Sequence, residues 1–233
     1  MSKLKNILVG LVATISLTSV AYAGSFGLGV TGSYTTVEGS GSETTIVDGA
    51  TGTANTNSKS VDNNVFTGSI YAEYVFDNVS WANLGVTIGA EYTPGSADVS
   101  DKVQSRTETP SSGTNVNSSV TYKAQAEVEN YRNFYIEVPV YGSFYVKAGI
   151  SQIDVNTLET MPTGSGTYAN KSGVDGTNLG VGFKGVTGSN MAWKLAYEET
   201  NFDTINITNS TSTSKVKGDI DTKAVRLSLG YQF

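Results

Sequence analysis

Eight ionisable residues stand out by position rather than by motif: Glu73, Glu91, Glu137 and Glu198, with Lys147, Lys184, Lys194 and Arg226. Each lies in a segment where apolar and polar residues alternate, and each falls on the polar parity. Successive side chains of an extended strand point to opposite faces, so all eight share one side of their sheet. Four acids and four bases so placed could neutralise one another as ion pairs, or line a path for protons or ions. Isolated charges in a narrow space are costly, whereas paired and hydrated ones are tolerable. The equal numbers favour an internal ion-pair network acting as a polar plug. Which acid meets which base depends on strand stagger, which the sequence leaves open.

Other chemistry is thinly represented. The chain has no His and no Cys. Nucleophile–base constellations that use His as general base are therefore absent, as are thiolate metal sites, a Cys nucleophile and any disulfide framework. A carboxylate pair could act alone, but no spacing marks one out, so an enzyme is not expected. Asp98-Val-Ser-Asp101 and Asp62-Asn-Asn64 offer hard oxygen ligands without matching a calcium-loop spacing. Gly27-x-Gly29 and Gly180-x-Gly182 read as strand glycines on the inward face, because a phosphate-binding loop needs a following helix. Neither metal nor cofactor is expected. The formal charge of −6 argues against nucleic acid, whose partners need a basic footprint.

The elements that position the eight charges are strands. Phe26, Leu28, Val30 and Tyr34 alternate with Gly27, Gly29, Thr31, Ser33 and Thr35. Phe66, Ile70, Ala72, Tyr74 and Phe76 oppose Thr67, Ser69, Tyr71 and Glu73. Leu84, Val86, Ile88, Ala90 and Tyr92 oppose Asn83, Gly85, Thr87, Gly89 and Glu91. A long fourth segment from Val120 sets Val120, Tyr122, Ala124, Ala126 and Val128, then Phe134, Ile136, Val138 and Val140, against Lys123, Glu127, Tyr135 and Glu137. Asn130 and Arg132 share its apolar parity, so they should lie above the hydrocarbon or mark a bulge that resets register. The remaining segments centre on Phe144–Ser151, Leu179–Lys184, Met191–Glu198 and Lys223–Phe233. The connections are alternately short (Asp77–Ser80, Tyr141–Ser143, Thr187–Asn190) and long (Glu38–Asn63, Pro94–Ser118, Asp154–Gly176, Asp203–Lys217), the long ones rich in Ser, Thr, Asn and Gly.

Export is written at the amino terminus. Lys3 and Lys5 precede a short apolar run, and Ala21-Tyr-Ala23 supplies the small-x-small cleavage pattern, so residues 1–23 read as a signal peptide and 24–233 as the mature domain. No later stretch approaches the ~20 apolar residues of a spanning helix. Strands remain, and backbone chemistry in lipid requires them to close into a barrel. The expected fold is all-β: an eight-stranded antiparallel up-and-down transmembrane β-barrel, with short periplasmic turns and long extracellular loops. Tyr74, Phe76, Trp81, Tyr141, Phe144 and Phe233 suit a lower aromatic girdle, and Tyr34, Tyr92 and Tyr197 an upper one. A soluble eight-stranded barrel alternates too. Against it, the charged parity also carries nearly all the Gly and Ser, as a crowded interior would, and the apolar parity carries essentially no charge but Arg132.

The cleavage site, the eight segments and the terminal Leu229-Gly-Tyr-Gln-Phe233 together resemble small bacterial outer-membrane barrels of the OmpX and OmpA-transmembrane type, a porin-family-like group. The resemblance implies location in the outer membrane of a Gram-negative bacterium and contact with its lipid. It also implies that Tyr231 and Phe233 form the assembly signal read by the barrel-assembly machinery. It further implies a role in membrane integrity or in surface interaction and adhesion, with an extracellular ligand or a host or phage surface as partner. The alternative is a narrow porin-like channel for small hydrophilic solutes or ions.

Overall fold

The computed structural model describes residues 24–45, 55–78, 84–108, 119–160, 166–211 and 214–233. The expected signal peptide, Trp81 of the lower girdle, the Thr109–Gly113 tip and part of the first turn lie outside them. So do the side chains of Val120, Tyr122 and Ala124.

Ten strands form one antiparallel sheet: β1 (Gly24–Thr45), β2 (Asn55–Asn78), β3 (Gly85–Asp98), β4 (Gln104–Glu108), β5 (Val120–Tyr141), β6 (Phe144–Thr160), β7 (Lys171–Val186), β8 (Met191–Phe202), β9 (Ile205–Thr208) and β10 (Ser214–Gln232). Eight of them make a ring in the order β1-β2-β3-β5-β6-β7-β8-β10, closed by pairing of β10 with β1. The two short strands are outward continuations. After a break at Val99–Val103, β4 pairs with the same β5 that partners β3, and after Asp203–Thr204, β9 pairs with the same β10 that partners β8. The chain's two described ends meet at the rim, where the Phe233 amide donates to the Phe26 carbonyl at 2.8 Å.

The lower half obeys the alternation. Leu28, Val30, Ile70, Leu179, Val181, Leu195, Val225, Leu227 and Leu229 are exposed on the outer face, while Thr31, Ser69, Glu73, Glu91, Lys147, Lys194 and Arg226 are buried inside. An apolar exterior around a polar interior suits lipid outside and hydrated side chains within. Gly142 (φ +53°) makes the turn between β5 and β6, and Asn190 (φ +59°) the turn before β8. Leu84 departs from expectation. It sits in a bend before β3 and lines the lower mouth of the lumen, whereas Val86 and Ile88 lie on the face opposite the buried Thr87 and Glu91.

The upper half corrects the sequence reading. Residues 38–63 are mostly not a loop: β1 and β2 stay in register up to Thr45↔Asn55. Likewise β3 runs on to Asp98, β6 to Thr160 and β7 starts at Lys171, while β10 begins at Ser214, nine residues before the terminal segment expected from alternation. Hydrogen-bonded strands persist there because the interior turns apolar. Val37, Val99, Ile153, Val155, Val174, Phe202, Ile205 and Ile220 form a buried cluster, with Val61, Val65, Ala126, Val128, Tyr131 and Ile207 packed against it.

The bulge in β5 makes this possible. Register slips between Glu129 and Arg132, with Asn130 at φ +54°. The slip reverses the faces, so Ala126 and Val128 turn inward rather than outward as expected. Arg132 stays outside the lumen, held to Asp154 at 2.9 Å.

Candidate functional site

All eight sequence-marked charges lie inside the barrel with at most 6 % of their surface exposed. Each comes from a different position on a strand whose lipid-facing parity forces the other parity inward. The network has two tiers.

In the lower tier Glu137 accepts from Lys184 Nζ at 2.9 Å and from Lys194 Nζ at 2.8 Å, and Lys194 also bonds Glu73. Lys184 donates further to Thr87 Oγ1 at 2.7 Å, and Tyr135 Oη to Glu73 at 3.2 Å. In the upper tier Glu198 accepts from Lys147 Nζ at 2.7 Å and from Arg226 Nη1 at 3.1 Å. Arg226 also bonds Glu91, which takes the Ser69 hydroxyl and lies 3.9 Å from Lys147.

Every acid therefore touches at least one base, and the four-to-four sum leaves no net charge. Multiple hydrogen bonds to each ion are what a buried pair needs if Coulomb attraction is to offset desolvation. Above the tiers, Asn178 bridges Glu198 and Thr200 and accepts from Asn133.

Three side chains missed by the charge-based reading complete the plug. Tyr71, Tyr135 and Tyr145 all point inward and are buried. Lys194 lies 5.1 Å from the Tyr71 ring centre, Lys147 4.2 Å from that of Tyr135, and Lys184 5.2 Å from that of Tyr145. A ring face is electronegative, so each ammonium gains a further contact.

Strand glycines make room for these phenols. A Cβ on Gly89 would stand 2.4 Å from the Tyr135 ring, and one on Gly230 would strike both Tyr71 and the Leu28 carbonyl. The signal was present in the sequence: three tyrosines sit on the parity that otherwise carries charge and Gly.

Free space divides around this plug. A vestibule of about 520 Å³ lies on the side of the chain ends, bordered by Gly24, Trp193 and Gln232 and ending at Glu73, Lys184 and Lys194. Between the tiers the gap is about 10 Å³, at the lower limit for one water. Beyond the upper tier a second chamber is lined by the underside of the apolar cluster. Among the described residues no cluster of His, Cys, Asp and Glu is disposed to hold a metal.

No protein-family model and no curated protein matches the chain. Several solved structures are similar in trace. The outer-membrane protease OmpT from Escherichia coli aligns with 90 % of this chain and 97 % of its own, at 9 % identity and a TM-score of 0.45. For Neisserial surface protein A the shares are 86 % and 97 %, at 8 % identity and a TM-score of 0.35. Ail, the attachment invasion locus protein of Yersinia pestis, solved with the heparin analogue sucrose octasulfate, aligns over 84 % and 98 %, at 12 % identity and a TM-score of 0.32. The closed ring, the apolar belt outside it and the charges within it give this chain the architecture of a small transmembrane β-barrel.

Proposed function

We propose that this barrel is sealed, and that it acts at its extracellular end in surface interaction or adhesion and in membrane integrity. One observation carries the reading. The strands are up to 24 residues long where about 9–11 cross a bilayer, and their outer halves form a folded body with its own apolar core. Spanning alone does not require such a body.

Its outer face presents Glu38, Asp62, Asp219, Lys217 and Lys223, a mixed hydrophilic surface suited to an extracellular ligand or a host or phage surface. The paired lumen charges serve as the plug. The chain's lack of His supports a non-enzymatic role. Tyr231 and Phe233, exposed on the closing strand beside Phe26, are suited to recognition by the barrel-assembly machinery after the signal peptide is cut at residue 23. The vestibule below the plug favours a second reading, a narrow porin-like channel whose gate is the lower tier.

Two measurements on the same protein separate these readings. Planar bilayers holding the purified barrel should show no steady unitary current. Replacing residues 41–59 by a short turn should abolish binding of displaying cells to host surfaces while the barrel still inserts. Steady currents altered by Glu73→Gln or Arg226→Gln would establish the channel instead.

A further inference from the structure

The ring is not paired along its whole height. β2 pairs with β3 only from Ile70↔Tyr92 down to Asn78↔Gly85. Above that level, among the described residues, β2 is paired with β1 alone and β3 with β5 alone. The seam is tied again at the top, where Asn63 Nδ2 donates to the Asp98 carbonyl at 2.9 Å. The result is a window in the wall, six or seven residues tall, or about 20 Å at ~3.3 Å per residue.

β3 is built to stand away from β2 at this point. Pro94 brings no N–H, Gly95 takes φ +89°, and register with β5 slips between Thr93 and Ser96. Proline belongs on a strand side that has no ladder. Across the gap, Val65 and Thr67 point inward yet are only half-buried, whereas Ser69, Tyr71 and Glu73 lower on the same face are buried.

Behind the window lies the upper chamber. It encloses about 90 Å³, and about 750 Å³ with its mouth. Most of its wall area is apolar, from Val37, Val65, Val128, Ile153, Phe202 and Ile220, with Ser and Thr hydroxyls and Glu129 also on the lining. Its floor is Glu198 and Arg226, already committed to each other and to Lys147 and Glu91. An apolar cavity of ~150 Å³ takes up a benzene ring, so this one suits the end of a chain rather than a ring or head group.

The position of the mouth identifies the occupant. Tyr92 forms the lower lip, and Phe66, 85 % exposed and tilted against Tyr34 with ring centres 5.0 Å apart, stands beside it. These residues stand at the top of the exposed apolar belt, which puts the mouth of the chamber at the level where that belt ends. The unpaired backbone groups of the two edges need water, so the window must open at the interface, above the hydrocarbon.

We propose that the β2–β3 window is a lateral entrance through which the methyl end of a single acyl chain passes from the outer leaflet into the upper chamber. An anionic head group stays at the interface, because the charges of the floor are already paired and the other charge on the lining, Glu129, is itself a carboxylate. This is a binding site distinct from both the lumen plug and the extracellular surface.

Paramagnetic broadening tests it, using the intact chain with labelled Ile, Leu and Val methyls in phosphatidylcholine nanodiscs. Stearic acid bearing a nitroxide at its methyl end should broaden Val65, Val128, Ile153 and Ile220 as well as belt residues such as Val30 and Leu229. The same acid with the nitroxide beside its carboxyl should broaden the chamber methyls less, relative to the belt. Ala97→Trp, which fills the mouth, should cut the chamber effect about tenfold and leave the belt effect intact. Val65→Ser, smaller and polar, should weaken it with the mouth open. Broadening confined to belt methyls with both probes, or chamber broadening that survives both substitutions, overturns the proposal.

Discussion

Lys194 shows how tightly single residues are bound into the lumen. Its ammonium serves Glu73 and Glu137 at once and stands near the rings of Tyr71 and Tyr135. Lys194→Met keeps the bulk but leaves two carboxylates short of a partner. Breaking a buried pair from one side costs ~3–5 kcal/mol, because the uncompensated charge remains. That loss should appear as a lowered urea midpoint for unfolding from lipid vesicles. Adding Glu137→Gln should recover part of it, since the number of unpaired acids then falls. The eight charged positions were legible because lipid forbids charge on one parity and so assigns it to the other. Their pairing was not, because Glu137 meets Lys184 and Lys194 from strands 47 and 57 residues away, through a stagger no local pattern encodes. The inward parity of Tyr71, Tyr135 and Tyr145 is legible in the same way, but their place beside the ammonium groups is not, because it depends on the same stagger.

At the scale of the element, each strand changes its rule partway along. On β10 the apolar positions are Val225, Leu227 and Leu229 in the belt, but Val216, Ile220 and Ala224 above it, with Lys215, Lys217, Asp219, Asp221 and Lys223 on the opposite parity. The inversion is present in the sequence. Abundant Ser, Thr and Asn give it the look of a loop, and alternation reads as a membrane strand only while the apolar residues keep one parity. The outer segments also carry carboxyls whose titration differs from the rest. Burial, then the neighbouring charge of Glu43, raises Glu159 above its ordinary 4.5, against the opposing pull of the Tyr168 amide. Burial, then Glu38 and Asp219, raises Asp221 above 3.8. In the window between each ordinary value and its raised one, the folded chain holds more protons than the unfolded chain. Stability of the outer strands is therefore greatest below that window and falls as pH rises through it. Both groups are largely solvated, so screening keeps the effect under about 1 kcal/mol. Hydrogen exchange along β6 and β10, corrected for intrinsic rates, should be slower near pH 4 than near pH 7. Glu159→Gln and Asp221→Asn should each flatten that difference.

The whole molecule is two cores stacked on one set of strands. In the lower, solvents are exchanged: lipid outside, ions and hydroxyls within. In the upper, the arrangement is that of a soluble barrel, polar outside and apolar within. Except between β2 and β3, the hydrogen-bonded ladder runs through both, so neither end needs its own connection to the other, and the bulge in β5 and the seam beside β3 fall where the interiors change over. If the cores are energetically separate, perturbing one should not alter the cost of perturbing the other. Phe202→Ala removes a ring from the upper cluster, a change that costs about 3–5 kcal/mol in a packed core. Lys194 lies on the same strand eight residues away, about 26 Å at ~3.3 Å per residue. Sites so far apart with no shared partner add to within ~0.5 kcal/mol. Unfolding of the wild type, Phe202→Ala, Lys194→Met and the double variant in one vesicle system closes this cycle. A coupling of several kcal/mol would instead make plug and cap a single cooperative structure, with Asn178 and Thr200 as the path between them. A hairpin deletion that abolishes surface binding would then disturb the lumen as well, so the cycle decides whether such a deletion reports on the extracellular surface alone.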